Sequence, residues 1–138
     1  MSIYQMCYAS CATSAQDTLL DDLRNILNES RDFNVKHDLT GVLYFADGYF
    51  FQCLEGDLST LDLLINKLKN DPRHKNFQLF NYQAIEQRNF VNWSMKYVQR
   101  NSAIQCYLRE IGLETFKPKH LNSSQVGEII HLLADIKI

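Results

Sequence analysis

Leu39-Thr40-Gly41-Val42-Leu43-Tyr44-Phe45-Ala46-Asp47-Gly48-Tyr49-Phe50-Phe51-Gln52-Cys53-Leu54-Glu55 is the stretch whose reading decides the fold. Two runs rich in β-branched and aromatic residues, 39–46 and 49–55, flank Asp47-Gly48. That dipeptide readily takes the positive φ angles of a two-residue hairpin turn, so the runs predict two antiparallel strands. Alternation along the second run places Gln52 on the same face as Phe50 and Leu54. An amide on such a face needs hydrogen-bond partners, because leaving it buried and unpaired costs about 1–3 kcal/mol. A neighbouring backbone group or a Tyr side chain would satisfy it as an ordinary core polar residue.

Upstream, residues 3–10 alternate, with Tyr4, Met6, Tyr8 and Ser10 on one face and Ile3, Gln5, Cys7 and Ala9 on the other, and read as a first strand. Thr13-Ser14 offers a helix N-cap, Asp17 suits a first turn, and Leu19, Leu23, Ile26 and Leu27 follow at helical spacing. The same stripe continues into Ser30 and Asn34, two small polar side chains on the inward face near the helix end. Downstream, Asp57 suits the cap of a second helix with Leu61, Leu64, Ile65 and Leu68 as its stripe. Asp71 falls one turn further along that stripe, and Pro72 marks the end. Residues 77–85 and 93–99 read as further strands separated by the polar stretch 86–92.

The order strand, helix, two strands, helix, two strands predicts an α+β protein. Its core is a ferredoxin-like split βαβ arrangement, extended to a five-stranded mixed sheet with two helices on one face. After Arg100 the pattern changes to two helical stripes, Ile104, Tyr107, Leu108 and Ile111 ended by Gly112, then Val126, Ile129, Ile130 and Leu133. Two short amphipathic helices do not fold alone. They are expected to cover the other sheet face, with 1–100 as the functional domain and 101–138 as an appendix of the same compact unit.

Composition narrows the function. The 138 residues suffice for one packed core, and a net charge of −2 gives no footprint for a phosphate backbone or an anionic membrane. No apolar run approaches the roughly 20 residues of a membrane span, and Met1-Ser2-Ile3-Tyr4 shows no basic segment before an apolar one, so a cytoplasmic location is expected. Cys7, Cys11, Cys53 and Cys106 form no CxxC and read as plain buried thiols, while His37, His74, His120 and His131 are scattered, so no metal site is expected. None of the phosphate-loop, nucleophile-elbow or zinc-protease motifs is present, which argues against an enzyme.

Tyr8 from the first strand, Gln52 from the hairpin, Ser30 and Asn34 from the first helix and Asp71 from the second would converge on one apolar cleft. A flat heterocycle with carbonyls and ring nitrogens would satisfy these groups, and so would ordered water. Periodicity stops there.

Five strings take the reading further: Tyr8-Ala9-Ser10, Leu39-Thr40-Gly41-Val42-Leu43, Phe51-Gln52-Cys53-Leu54-Glu55-Gly56, Asp71-Pro72-Arg73-His74 and Trp93-Ser94-Met95. In this order and at these separations they resemble the BLUF photoreceptors, sensors of blue light using flavin, over residues 1–100. The region beyond resembles the short, single-domain members. The resemblance implies a ferredoxin-like fold holding FAD non-covalently between the first two helices. It casts Tyr8 as electron and proton donor to the excited flavin and Gln52 as the relay, whose amide rearranges to give a red-shifted, reversible state. Asn34, with Ser30 beside it, would hold the polar edge of the ring. Lys67, Asp71, Arg73 and His74 fall where members contact the ring edge, the ribityl chain or the phosphates. The competing reading of that charged group is a solvated helix end.

Trp93 and Met95 are expected on one face of the last strand, where the family transmits its switch, although simple core packing also suits them and Trp93 is a candidate competing electron donor. Two positions depart from the family pattern. Phe33 stands where a polar Asn or His is common, removing a second hydrogen bond to the ring edge. Lys67 replaces a common Arg, exchanging a planar fork for a point charge. With no effector domain in the sequence, output would pass to a protein partner, and a homo-oligomer stays open. The competing readings are a protein-interaction module without flavin and a ferredoxin-like nucleic-acid binder using Tyr4, Tyr8 and Trp93. The second lacks an RNP1-like string and a basic surface.

Overall fold

The hairpin forms as its sequence requires. β2 (Thr40–Ala46) and β3 (Tyr49–Gly56) pair antiparallel with Ala46 opposite Tyr49, and Asp47 (φ 55°) and Gly48 (φ 84°) supply the two left-handed residues of the turn. Gly41 is needed for a different reason: a Cβ there would lie 2.3 Å from the Cys53 carbonyl oxygen of the neighbouring strand. The computed structural model describes residues 3–13, 15 and 17–137, and of Asn81 the backbone alone.

β1 (Ile3–Ala12) lies against β3 with Tyr8 directly opposite Gln52, and β4 (His74–Ile85) lies on the other side of β1. β5 (Lys96–Gln99) runs parallel to β2, giving the order β4-β1-β3-β2-β5 in a mixed five-stranded sheet. The expected ferredoxin-like arrangement is therefore present. α1 (Leu19–Lys36) and α2 (Leu58–Lys69) cover one face, where Leu23, Leu27, Leu61 and Ile65 pack on Met6, Tyr8, Leu43, Phe50 and Leu54. α3 (Ser102–Glu110) and α4 (Ser123–Asp135) cover the other, where Ile104, Leu108, Val126 and Ile129 pack on Cys7, Val42, Tyr44 and Phe51.

Several local expectations shift. α1 begins at Leu19 with Thr18 at its N-cap position. Thr13 is not a cap but donates to the Pro72 carbonyl (2.7 Å), and Ser14 lies outside the described residues. Asp57 does cap α2, accepting from the Thr60 amide. α2 stops at Lys69, so Asp71 sits in the following turn, where its carboxylate accepts the Arg73 amide at 2.9 Å. The last strand starts at Lys96 and not at residue 93, because the carbonyls of residues 94 and 95 are taken by side chains of α1. Cys7 and Cys53 are buried, but Cys11 is half-exposed and Cys106 is on the surface, correcting the expectation of four buried thiols.

Candidate functional site

Between α1 and α2 the sheet is not fully covered. The gap is a cleft of about 550 Å³ of open space, counted to its mouth. Its walls are Ile26 and Phe33 of α1 and Leu64 and Leu68 of α2, with Ser30, Asn34 and Gln52 as polar groups and Lys67, Asp71, Arg73 and Glu29 as charged ones. Mostly apolar walls and a few placed polar side chains match the general build of small-molecule sites. Six of the eight residues expected to hold a cofactor (Ser30, Asn34, Gln52, Lys67, Asp71 and Arg73) line this cleft. The other two, Tyr8 and His74, line a smaller recess that shares Ile26, Leu68 and Asp71 with it.

Strand register brings the central pair together. The Tyr8 hydroxyl donates a short hydrogen bond to Gln52 Oε1, and Gln52 Nε2 faces Met95 Sδ at 3.8 Å. A thioether sulfur is a weak acceptor. The amide is thus held firmly at one end and loosely at the other. The Tyr8 ring stacks on Phe77 (centroids 4.6 Å apart), and burial, assisted by the negative charge of Asp71, pushes its pKa well above the ordinary phenol value. The phenol therefore keeps its proton through the physiological range.

α1 also grips the segment before β5. Asn34 Nδ2 donates to the Ser94 carbonyl at 2.5 Å, and Arg31 donates to the Met95 carbonyl through Nε and Nη2 at 3.3 Å each. This grip separates two residues expected to share a face. Met95 is 1% exposed and packs with the α1/α2 core, whereas Trp93 is 36% exposed. Its ring lies 5.7 Å from the Lys96 ammonium. Arg31 escaped sequence reasoning, since an arginine off the apolar stripe of a helix ordinarily signals only a solvated face.

At the cleft mouth Arg73 pairs with Asp71 and with Glu29 of α1, both at 2.6 Å. The bonds from Arg73 hold the Asp71 carboxyl below the usual carboxylate range. Lys67 stands over the Phe33 ring, 5.0 Å from its centroid. His74 is committed inside the fold: Nδ1 meets Ser10 Oγ at 2.5 Å, Nε2 meets the Leu68 carbonyl, and its ring lies 6.0 Å from that of Tyr8. The sheet face that a nucleic-acid reader would expose is covered by α3 and α4, and Tyr8 points the other way. No helix among the described residues is long and apolar enough to cross a membrane.

Comparisons with known proteins give the family and the fold. The model of the family described as sensors of blue light using FAD matches residues 3–96. BlsA superposes in its photo-activated state with a TM-score of 0.93 at 40% identity, covering 98% of this chain and 96% of that one. Its ground state gives a TM-score of 0.94 at 40% identity, covering 98% of this chain and 89% of that one. BlrB, a BLUF protein in its dark state, gives 0.78 at 26% identity over 96% of each chain. Among curated proteins, the photoactivated adenylate cyclase subunit beta of Euglena longa is 30% identical over 89 residues, 64% of this chain and 10% of that protein. The subunit alpha of Euglena gracilis is 26% identical over 92 residues, 67% of this chain and 9% of that protein. The chain spans about a tenth of the length of these curated relatives.

Proposed function

The chain belongs to the family of sensors of blue light using FAD, and on that premise we propose that it is a reversible light switch whose photochemical pair is Tyr8 and Gln52. The observation that carries the assignment is the Tyr8 hydroxyl donating to Gln52 Oε1 beside the cleft. FAD bound there would absorb blue light and, once excited, would supply a strong one-electron oxidant beside Tyr8.

A phenol becomes strongly acidic when it loses an electron, and Tyr8 has Gln52 Oε1 in place to take its proton, with Nε2 able to release one in turn toward the bound flavin. Once electron and proton have returned to Tyr8, Gln52 is left rotated with its donor and acceptor ends exchanged, a net change that breaks no covalent bond. The weak 3.8 Å contact of Nε2 with Met95 Sδ opposes that exchange little. Because Gln52 also lines the cleft, the exchange alters the hydrogen bonds it offers to a ring held there.

Holding FAD non-covalently falls to the remaining residues. With Nδ2 of Asn34 committed to the Ser94 carbonyl, its Oδ1 is the atom left to accept from the polar edge of the ring, with Ser30 one turn away on the same helix. Lys67 and Arg73 supply positive charge for the phosphates, but Arg73 reaches them only by giving up the exposed Glu29. Residues 1–100 gather the light in this reading, and residues 101–138 pass the change to a protein partner. The relatives named photoactivated adenylate cyclases show that such an input is coupled to an output in those proteins.

Absorption spectra of the purified yellow protein before and after blue light test the proposal. A red-shifted spectrum that reverts in the dark is expected, with Tyr8→Phe keeping the flavin and losing the shift. A full shift in Tyr8→Phe would overturn the assignment of Tyr8, and a wild-type spectrum indifferent to light would overturn the switch itself.

A further inference from the structure

We propose that Lys96 is the positioning residue that carries the switch from the Met95 segment into the last turn of α4. This rests on the Tyr8 and Gln52 photochemistry above and supplies the step by which the change leaves the site.

Three consecutive residues are tied to three different parts of the molecule. The Ser94 and Met95 carbonyls are held from α1 by Asn34 and Arg31. The Met95 sulfur meets Gln52 of β3. Lys96, the next residue, turns to the opposite sheet face as strand alternation requires. Its ammonium donates to the carbonyls of Ile136 and Ala134 (3.3 Å for Ala134) at the end of α4. Lys96 is 2% exposed.

A helix C-terminus presents unpaired carbonyls and partial negative charge, so it can replace part of the water an ammonium loses on burial. Burial still lowers the lysine's affinity for its proton, the expected sign for an incompletely repaid desolvation. An apolar side chain of the same length would fill the space without desolvating a charge. Packing alone therefore does not call for a lysine, whereas a directional tie between β5 and α4 does. The Trp93 ring stands 5.7 Å from the same ammonium, so Trp93 meets Lys96 at the end of this segment.

When Gln52 exchanges its amide ends, the contact with Met95 Sδ changes first. A displacement of Met95 moves the main chain that carries Lys96. The ammonium then shifts relative to Ala134 and Ile136, and the last turn of α4 loses part of its cap. Loss of one charge-assisted hydrogen bond is worth about tenfold in a local opening equilibrium.

Amide hydrogen exchange of residues 133–136, measured on the FAD-loaded protein in darkness and under continuous blue light, tests this, with absorption spectra taken on the same samples. In the wild type, light is expected to speed exchange there about tenfold. Lys96→Arg should keep both the spectral shift and this response. Lys96→Met should keep the spectral shift while its light and dark exchange agree within about twofold. A wild-type acceleration in Lys96→Met would overturn the role of Lys96, as would a wild-type spectral shift with unchanged exchange at 133–136. If Lys96→Met does not fold, the wild-type and Lys96→Arg arms still decide: unchanged exchange in either, beside a normal shift, overturns the proposal. A wild type with no spectral shift would instead bring down the photochemistry on which it stands.

Discussion

On the α3/α4 side of the sheet, Val42, Tyr44, Phe51 and Val98 join Ile104, Leu108, Phe116 and Ile129 in one buried cluster. On the α1/α2 side, equally apolar strands stop short of closure and leave the cleft between the helices. Unpaired polar atoms also separate the two faces. On the open side Tyr8, Gln52 and Asn34 all have partners. On the closed side the Tyr44 hydroxyl and both amide atoms of Gln105 find none among the described residues. Filling a face with side chains gives stability and tolerates an occasional unpaired polar atom. A face reserved for a ligand must have its polar groups already aimed, since their orientation is what the ligand meets.

The contrast is open to measurement. The largest effect expected is from Phe116→Ala: the ring is fully buried against Tyr44, Tyr49 and Phe51, and its loss should lower unfolding stability by about 3–5 kcal/mol in urea titrations. Phe33→Ala removes a half-buried cleft wall and should cost under about 1.5 kcal/mol while weakening retention of FAD. Equal stability losses would erase the distinction between the faces.

Alkaline pH probes both faces at once. Burial raises the phenol of Tyr8 on the open face, and on the closed face it pushes that of Tyr44 up to about 12. Above the ordinary phenol value of 10.0 the unfolded chain releases protons that the folded chain keeps, so stability falls as pH rises from there toward 12. Each phenol contributes at most about 1.4 kcal/mol per pH unit. Unfolding curves of the wild type and Tyr44→Phe over this range should differ in slope by that amount or less, and identical slopes would mean that Tyr44 is not protected. Gln105→Leu should have the smallest effect, a gain of about 1 kcal/mol from removing an unpaired amide. A comparable loss would show the amide to be satisfied.

How much of this was legible depended on where the deciding forces lie. Asp47-Gly48 fixed the hairpin because turn chemistry is local, and alternation then placed Tyr8 and Gln52 on one face before any partner was known. Ser30 and Asn34 were found by helical spacing and do line the cleft. Trp93 was misplaced because residues 93–95 read locally as strand, while their conformation is set from a distance by Arg31 and Asn34. Lys96 went unnoticed for the same reason, as nothing in a strand announces helix carbonyls forty residues away. Glu55 is buried on four donors from Thr40, Asn89 and Phe90, and only the fold brings most of them within reach. Cys106 is different: a stripe through 104, 107, 108 and 111 already pointed it outward, and the general burial tendency of cysteine was given too much weight.

The closed face also has a history in time. Its strand residues, from Cys7 to Val98, all precede Ile104, the first helix residue that covers them. A ribosome therefore delivers the hairpin about fifty residues before α3 exists. At about 5–20 residues per second the hairpin waits roughly 2–10 s for that helix. During that interval the apolar strand surface lacks the helices that bury it in the folded chain, and the arrival of residues 102–135 ends that exposure.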